Sequence, residues 1–242
     1  YIQGVGIGTI TDSLASIKYN VYDKKKFTIK ELLGMLKNNF NGIKEMHDNL
    51  LFNTPKYGND DDYADELAKE VFEIYFNAID GRPNTKGGYF RINLLPTTCH
   101  VYFGKVTGAT PDGRLAGEPV SEGISPVQGA DINGPTSVIK SASKIDHLRT
   151  GGTLLNQKFT PQLMDTEDGI EKAVQLIRTY FRLDGHHIQF NVVTAEVLKE
   201  AQKHPEKYRD LIVRVAGYSD YFVDLNEALQ NEIIRRTEHN VV

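Results

Sequence analysis

The chain has 242 residues, of which 40% are hydrophobic, 10% aromatic and 25% charged, a composition typical of globular proteins that bury an apolar core. Its formal net charge of −4 disfavours a protein that holds nucleic acid through phosphate contacts. A single cysteine excludes an internal disulfide framework and favours a cytoplasmic location, and no apolar run approaches the ~18 residues of a membrane span. The sequence opens at Tyr1 in the middle of a pattern, so we expect a portion of a longer polypeptide.

Two helices are predicted in the amino-terminal third. Residues 28–43 carry apolar side chains at helical spacing, and Thr28 with Glu31 forms a capping box. A second helical stripe runs through residues 67–78, behind an acidic run at 60–62. We expect those acids to serve the amino end of the helix, because the loop lacks the oxygen spacing of a calcium site.

Between residues 84 and 160 the sequence is dense in glycine, proline, threonine and serine. Its short apolar runs, at 89–95, 101–106 and 153–159, are of strand length. Long irregular segments are uncommon inside compact domains unless they line a functional cavity. We therefore predict a loop-and-strand region that forms a pocket wall.

Helices and strands alternate in the carboxyl-terminal third. In chain order we predict a helix on the stripe at 170–181, a strand at 188–193, a helix capped by Thr194 and ended by Pro205, a strand at 211–215, and an amphipathic helix from Leu225 that ends in the cations Arg235 and Arg236. This alternation predicts an α/β architecture with some parallel pairing, whose remaining strands lie outside this chain.

Three short motifs give weak signals. The glycines at residues 4–8 lack the last glycine of the dinucleotide fingerprint, so a close-packed turn is expected. His186 and His187 are neighbours on a predicted strand and would point to opposite faces, which disfavours a metal site. Cys99 beside His100 is either an activated nucleophile or a structural thiol, and the second is favoured because strand neighbours face apart.

The segment Arg-Val-Ala-Gly-Tyr-Ser at residues 214–219 reads as a buried strand followed by a glycine turn. Together with Leu-Asn-Glu-Ala-Leu-Gln-Asn-Glu-Ile-Ile-Arg-Arg-Thr-Glu-His at 225–239, it closely resembles the carboxyl-terminal radical motif of the glycyl radical enzymes. Further stretches resemble that family in the family's order: residues 6–13, 55–61, 107–114 and 123–127. The resemblance spans essentially the whole chain.

The resemblance implies a catalytic role for Gly217, whose α-carbon would store a radical. No bound cofactor is implied; a partner, an S-adenosylmethionine-dependent iron–sulfur activating enzyme, would install the radical. The unpaired electron is shared with both neighbouring amide groups when the centre is planar, and glycine flattens without a side-chain clash. We expect Val213, Val215 and Ala216 to keep water away from it.

The resemblance also implies the fold, which is part of a ten-stranded α/β barrel of the glycyl radical enzyme type, incomplete in this chain. Residues 1–160 would be the carboxyl-terminal part of the barrel domain and 161–242 the glycyl radical domain. The family's thiyl cysteine lies in a Gly-Cys-Val/Leu-Glu-like loop that is absent here, and the surroundings of Cys99 do not match it. The thiyl would then come from a preceding portion or a partner chain, within a homodimeric enzyme.

The stretches at 94–104, 150–159 and 184–191 look most like the dehydratase branch, which implies a small substrate such as trans-4-hydroxy-L-proline or a diol. By that resemblance Thr97 would hydrogen-bond the substrate; alternatively it satisfies its own turn. Other interpretations stay open: a pyruvate formate-lyase reaction or another radical lyase or decarboxylase reaction, a spare radical-bearing subunit without turnover of its own, and an α/β binding module in which Gly217 merely turns the chain.

Overall fold

The computed structural model describes residues 1–95 and 97–240. The α-helices are α1 (Ile7–Ile17), α2 (Ile29–Lys37), α3 (Lys44–Phe52), α4 (Asp62–Ile79), α5 (Cys99–Val106), α6 (Pro135–Ala142), α7 (Pro161–Met164), α8 (Glu167–Arg182), α9 (Ala195–Lys203) and α10 (Glu227–Arg235). The strands are β1 (Ile2–Gln3), β2 (Ile92–Asn93), β3 (Leu155–Phe159), β4 (Ile188–Val192), β5 (Ile212–Arg214), β6 (Ser219–Tyr221) and β7 (Glu238–His239).

Parallel pairing dominates the strand arrangement. β3 is the central strand of a three-stranded parallel sheet, with β4 on one side and β7 on the other. β1 and β2 form a second parallel pair, and a parallel bridge from Leu94 to Thr153 links the end of β2 to the segment that enters β3. β5 and β6 form an antiparallel hairpin. The predicted α/β class with parallel pairing is confirmed.

Two apolar clusters matter for the site. The first, which we call the body cluster, packs β3 against α1, α4, α6 and α8, and its members include Phe72, Ile139, Leu155, Phe159 and Tyr180. The second, the hairpin cluster, joins α5, α9 and α10 to the β5–β6 hairpin, and its members include Val101, Leu198, Val213, Val215, Phe222 and Ile233. The predicted helical stripe through Leu225, Leu229 and Ile233 lies in this second cluster.

The capping box predicted at the start of α2 is present. Thr28 Oγ1 accepts the backbone N–H of Glu31, and the Glu31 carboxylate accepts the backbone N–H of Thr28 at 2.7 Å. The helix ends at Lys37 rather than at residue 43, because Asn39 and Phe40 adopt φ angles of 50° and 58°, which an α-helix does not allow.

The acidic run at 60–62 serves the amino end of α4, as predicted. Asp61 caps the helix by accepting the backbone N–H of Tyr63 at 2.9 Å. Asp60 pairs with Lys140 at 2.9 Å, so the negative charge of the run is compensated within the protein.

The prediction of a strand at residues 101–106 is wrong, because this segment lies in α5. Its β-branched and aromatic residues favour a strand when judged alone. In the structure His100, Val101 and Gly104 are buried, at the 3–4 spacing of one helix face, whereas Tyr102 is exposed.

Helix α8 is present where its stripe was predicted, but the stripe is not its buried face. Ala173, Leu176 and Tyr180 face the body cluster, whereas Ile170 and Phe181 are exposed. Helices α1, α3, α6 and α7 were not predicted. Within the described ranges, no helix combines the length and the apolar character that a membrane crossing requires.

Candidate active site

Gly217 lies at the tip of the β5–β6 hairpin. Arg214 pairs with Ser219 at the last rung of the ladder, and the backbone N–H of Val215 donates to the carbonyl of Tyr218 at 2.9 Å. The φ angle of Gly217 is +84°, in the left-handed region that favours glycine. A Cβ atom at this position would meet no heavy atom within 4 Å, so the backbone conformation, not crowding, calls for glycine.

The apolar residues beside Gly217 support the hairpin from below. Val213, Val215 and Ala216 are each at most 1% exposed, and both valines pack in the hairpin cluster. Gly217 itself is exposed among the described residues. Val213 and Val215 contribute to the cluster beneath the hairpin, and that the three side chains also keep water away from the α-carbon stays a prediction.

Strand β4 holds the hairpin through two polar side chains. The Asn191 side chain bonds both backbone groups of Arg214, accepting its N–H at 2.8 Å and donating to its carbonyl at 2.8 Å. Gln189 Oε1 accepts the backbone N–H of Gly217 at 3.1 Å. Both side chains are buried, whereas Val192 is exposed, so this face of β4 buries amides that satisfy the backbone of a second segment.

Arg236 attaches the hairpin to the end of α10. Its guanidinium donates to the carbonyl of Val215 at 2.7 Å and to that of Arg214 at 3.3 Å, and it forms a bidentate pair with Glu232. Arg236 is buried. The sequence predicted a cation at the end of the helix. The structure adds that the Arg236 guanidinium also binds Glu232 and the backbone of the hairpin.

The charges around Arg236 keep this attachment ionised. Burial acts to raise the pKa of Glu232, but the charge of Arg236 and then that of His100 outweigh it, so the Glu232 pKa lies well below its usual range. His100 Nε2 is 3.5 Å from Glu232 Oε1, too long for a good hydrogen bond. Burial raises the pKa of the neighbouring Glu122 carboxyl. Removing one member would leave a buried charge without its partner.

Thr97 lies in the turn that precedes α5. It is exposed and adopts a φ of 54°; Pro96, which precedes it, lies outside the described residues. Because α5 contributes Val101 to the hairpin cluster, the turn with Thr97 leads directly into a helix that packs beneath the Gly217 hairpin. Cys99, the first residue of α5, is partly buried, and the His100 ring faces Glu232.

The other motifs have structural roles. The glycine run at residues 4–8 leads into α1, with Gly6 at φ +85° and Val120 3.4 Å from its Cβ position, which confirms a close-packed turn. His186 and His187 lie in the loop before β4, not on a strand. In the part of the chain that the structure describes, no three histidine, cysteine or acidic side chains gather closely enough to hold a metal ion.

Comparison with known proteins gives two family matches. Residues 1–104 match the pyruvate formate lyase-like family, and residues 120–223, which include the hairpin with Gly217, match the glycine radical family. The chain therefore belongs to the glycyl radical enzymes. Membership implies a radical that is generated on glycine after translation.

Among individual relatives, trans-4-hydroxy-L-proline dehydratase of Clostridioides difficile is 60% identical over 98% of this chain. Isethionate sulfite-lyase of Bilophila wadsworthia is 46% identical over 99% of it. The chain spans only about 30% of the length of these relatives, 30% and 29% respectively.

Solved structures of dehydratases also match nearly the whole of this chain. Hydroxyproline dehydratase from C. difficile, with trans-4-hydroxy-L-proline bound, matches 99% of this chain with a TM-score of 0.97. The B12-independent glycerol dehydratase from Clostridium butyricum, 47% identical, matches 98% with a TM-score of 0.93. In each case the match covers 30% of the solved chain. The predicted fold, part of an α/β barrel of the glycyl radical enzyme type, is confirmed.

Proposed function

We propose that this chain is the radical-bearing carboxyl-terminal portion of a glycyl radical dehydratase and that Gly217 stores the radical. The position of Gly217 carries the proposal. It lies at a hairpin tip, at φ +84°, within the segment matched to the glycine radical family. The hairpin tip can move toward an activating enzyme while the body cluster stays folded.

The proposal assigns the remaining roles as follows. An activating enzyme that uses S-adenosylmethionine and an iron–sulfur cluster removes one hydrogen atom from the Gly217 α-carbon. The stored radical then takes a hydrogen atom from a cysteine thiol outside this chain. Residues 1–160 belong to the barrel domain and 161–242 to the glycyl radical domain of a homodimeric cytoplasmic enzyme. The single cysteine of the chain, whose surroundings differ from the family's thiyl loop, supports a thiyl source elsewhere.

We propose a small hydroxylated substrate, with trans-4-hydroxy-L-proline as the first candidate. The 60% identity to the hydroxyproline enzyme, against 46% to the isethionate enzyme, supports this choice. The thiyl takes a hydrogen atom from the carbon beside the hydroxyl-bearing carbon and becomes a thiol. An acid of the enzyme protonates the leaving hydroxyl group, which departs as water, a base takes a proton from the substrate in exchange, and the product radical takes the hydrogen atom back from the cysteine thiol. Thr97 is proposed to hydrogen-bond this substrate.

Electron paramagnetic resonance tests the radical. The complete polypeptide is incubated without oxygen with S-adenosylmethionine and an activating enzyme, and we expect a doublet that is absent in Gly217→Ala. Gly117→Ala is the matched control, because Gly117 also has a φ of +84° and no heavy atom within 4 Å of its Cβ position. A doublet that persists in Gly217→Ala, or none with several activating enzymes, refutes the proposal.

Exposure to air supplies a second test. Dioxygen adds to carbon radicals and the backbone then breaks, so activated protein should be cut at Gly217 while the unactivated protein stays whole. Mass spectrometry of both samples measures the products. An intact mass after confirmed activation contradicts a radical at this position.

Turnover assays test the substrate and Thr97. We expect release of water from trans-4-hydroxy-L-proline, with Thr97→Val raising KM roughly fivefold and Thr97→Ser restoring it, since one hydrogen bond contributes on the order of 1 kcal/mol. Thr98→Val is the neighbouring control. Preferential turnover of glycerol or isethionate would contradict the substrate, and an unchanged KM in Thr97→Val would contradict the role of Thr97.

A further inference from the structure

The side-chain amide of Gln189 meets the backbone next to the proposed radical centre. Its Oε1 accepts the N–H of Gly217 at 3.1 Å, and its Nε2 lies 3.4 Å from the carbonyl of Val215. Oε1 also accepts an N–H from the Arg214 guanidinium at 3.2 Å. Gln189 is only 5% exposed. Within residues 1–95 and 97–240, the Gln189 side chain thus bonds the backbone of Gly217 itself.

Hydrogen bonds on the side away from Gly217 fix the orientation of the Gln189 amide. Gln189 Nε2 donates to Asn156 Oδ1 on the adjacent strand β3, and Asn156 Nδ2 in turn donates to the Glu122 carboxylate. The backbone N–H of Asn156 donates to Ser125 Oγ at 2.9 Å. A rotated Gln189 amide would point N–H groups at the N–H of Gly217 and place two oxygens together at Asn156. The network therefore presents an acceptor oxygen to Gly217.

We propose that Gln189 is a positioning residue for the glycyl radical. This inference rests on the proposed radical at Gly217. The unpaired electron would be shared with the amide nitrogen of Gly217, and an acceptor on its N–H fixes the plane of that amide and increases the electron density on nitrogen. Gln189 thus holds the radical centre planar and keeps the hairpin closed after activation.

Asn191 provides a matched comparison on the same strand. Its two hydrogen bonds hold the backbone of Arg214, three residues before Gly217, and none of its bonds reaches Gly217. A substitution of Asn191 therefore loosens the same hairpin without touching the amide of the radical centre. A residue that only anchors the hairpin and one that also positions the radical can be separated by comparing the two.

The test uses the complete activated enzyme and three measurements: the hyperfine coupling of the Gly217 N–H proton, the anaerobic decay rate of the radical, and hydrogen exchange of the Gly217 amide before activation. In Gln189→Met, which lacks the acceptor, we expect an altered coupling, roughly fivefold faster decay and roughly fivefold faster exchange. Asn191→Leu should speed decay and exchange but leave the coupling unchanged.

The outcomes separate this inference from the proposed function. An absent doublet in the unsubstituted enzyme refutes the radical and this inference with it. A normal doublet whose coupling is the same in Gln189→Met refutes the inference alone, as does a coupling that Asn191→Leu changes equally. If Gln189→Met does not fold, Gln189→Asn replaces it, because a side chain one methylene shorter cannot reach Gly217, and the same altered coupling is expected.

Discussion

The body cluster and the Gly217 hairpin differ in how strongly their attachment depends on polar contacts. In the body, β3 pairs with β4 over five residues, and the buried Leu155 and Phe159 belong to a contiguous apolar cluster. The hairpin has strands of three residues; Val213 and Val215 anchor it in the hairpin cluster, and hydrogen bonds from Gln189, Asn191 and Arg236 fasten the backbone near its tip. Apolar burial spread over many residues is lost only when the whole region unfolds, whereas a few directional bonds can break together. The hairpin tip can therefore open while the body stays folded.

The largest effect is expected in the body. Phe159→Ala should lower the free energy of unfolding by about 3–5 kcal/mol, because it leaves a cavity beside Phe190, whose ring centroid is 4.9 Å away. Phe159→Leu should cost less, about 1.5 kcal/mol or below. Urea denaturation of the unactivated protein measures both. Equal losses in the two variants would show that Phe159 does not support a packed core.

Acid should weaken the body before it weakens the hairpin attachment. Burial lowers the pKa of His147 from 6.5 to about 4, so the unfolded chain takes up this proton first as the pH falls. The contribution of neutral His147 to the free energy of unfolding is fully present above pH 6.5. It is lost as the pH falls from 6.5 to 4, by about 3 kcal/mol in total. Glu232, with its pKa below the usual range, stays ionised across this window.

His147→Gln should flatten that pH dependence, because glutamine does not titrate. Thermal unfolding midpoints at pH 7 and pH 4.5 measure the difference. His204→Gln is the control for the same substitution at a histidine whose side chain is 44% exposed. The same loss of stability on acidification in His147→Gln and in the unsubstituted protein would place the acid sensitivity elsewhere.

Loosening the hairpin should leave the body unchanged. Asn191→Leu removes both hydrogen bonds to the Arg214 backbone, which should cost about 2 kcal/mol and raise hydrogen exchange in the hairpin about 30-fold. The amides of β3 should exchange as before. Exchange that rises equally in β3 would mean that the two regions open as one unit.

The smallest effects come from two helix caps, one in each region. Thr166 caps α8 and Thr194 caps α9, each by accepting a backbone N–H three residues on. Replacing either with alanine should cost about 1 kcal/mol. Thr194→Ala should raise exchange in the hairpin and Thr166→Ala in the body. Hydrogen exchange of both variants checks this, and a reversed pattern would contradict the division into two regions.

Local signals allowed much of the fold to be predicted. Three predicted features depend only on residues close together in sequence, and all are present: the Thr28–Glu31 capping box, the helix cap at Thr194 and the apolar stripe around Ile233. Helix α5 was mistaken for a strand because its residue types suit both structures and only its packing on the hairpin decides between them. The glycine turn was predictable, since few other residues adopt φ +84°.

The residues that hold Gly217 could not be found in this way. Gln189 lies 28 positions before Gly217, and Arg236 contacts the carbonyl of Val215 across 21 positions. A signal was present in the polar residues at alternate positions 189 and 191 of a predicted strand. Such a pattern normally indicates a solvent-facing side, and only the three-dimensional structure shows that this side is buried.

The pairing of β7 with β3 has a consequence for proteolysis. Arg236 stands between α10 and β7, and Glu238 and His239 continue directly into the sheet. Arg235 is exposed, and a protease that cut the peptide bond after it would leave every hairpin residue intact. The cut would separate Arg236 from α10, the helix that carries its salt-bridge partner Glu232. Limited trypsin digestion at this one bond should thus weaken the attachment of the Gly217 hairpin to α10.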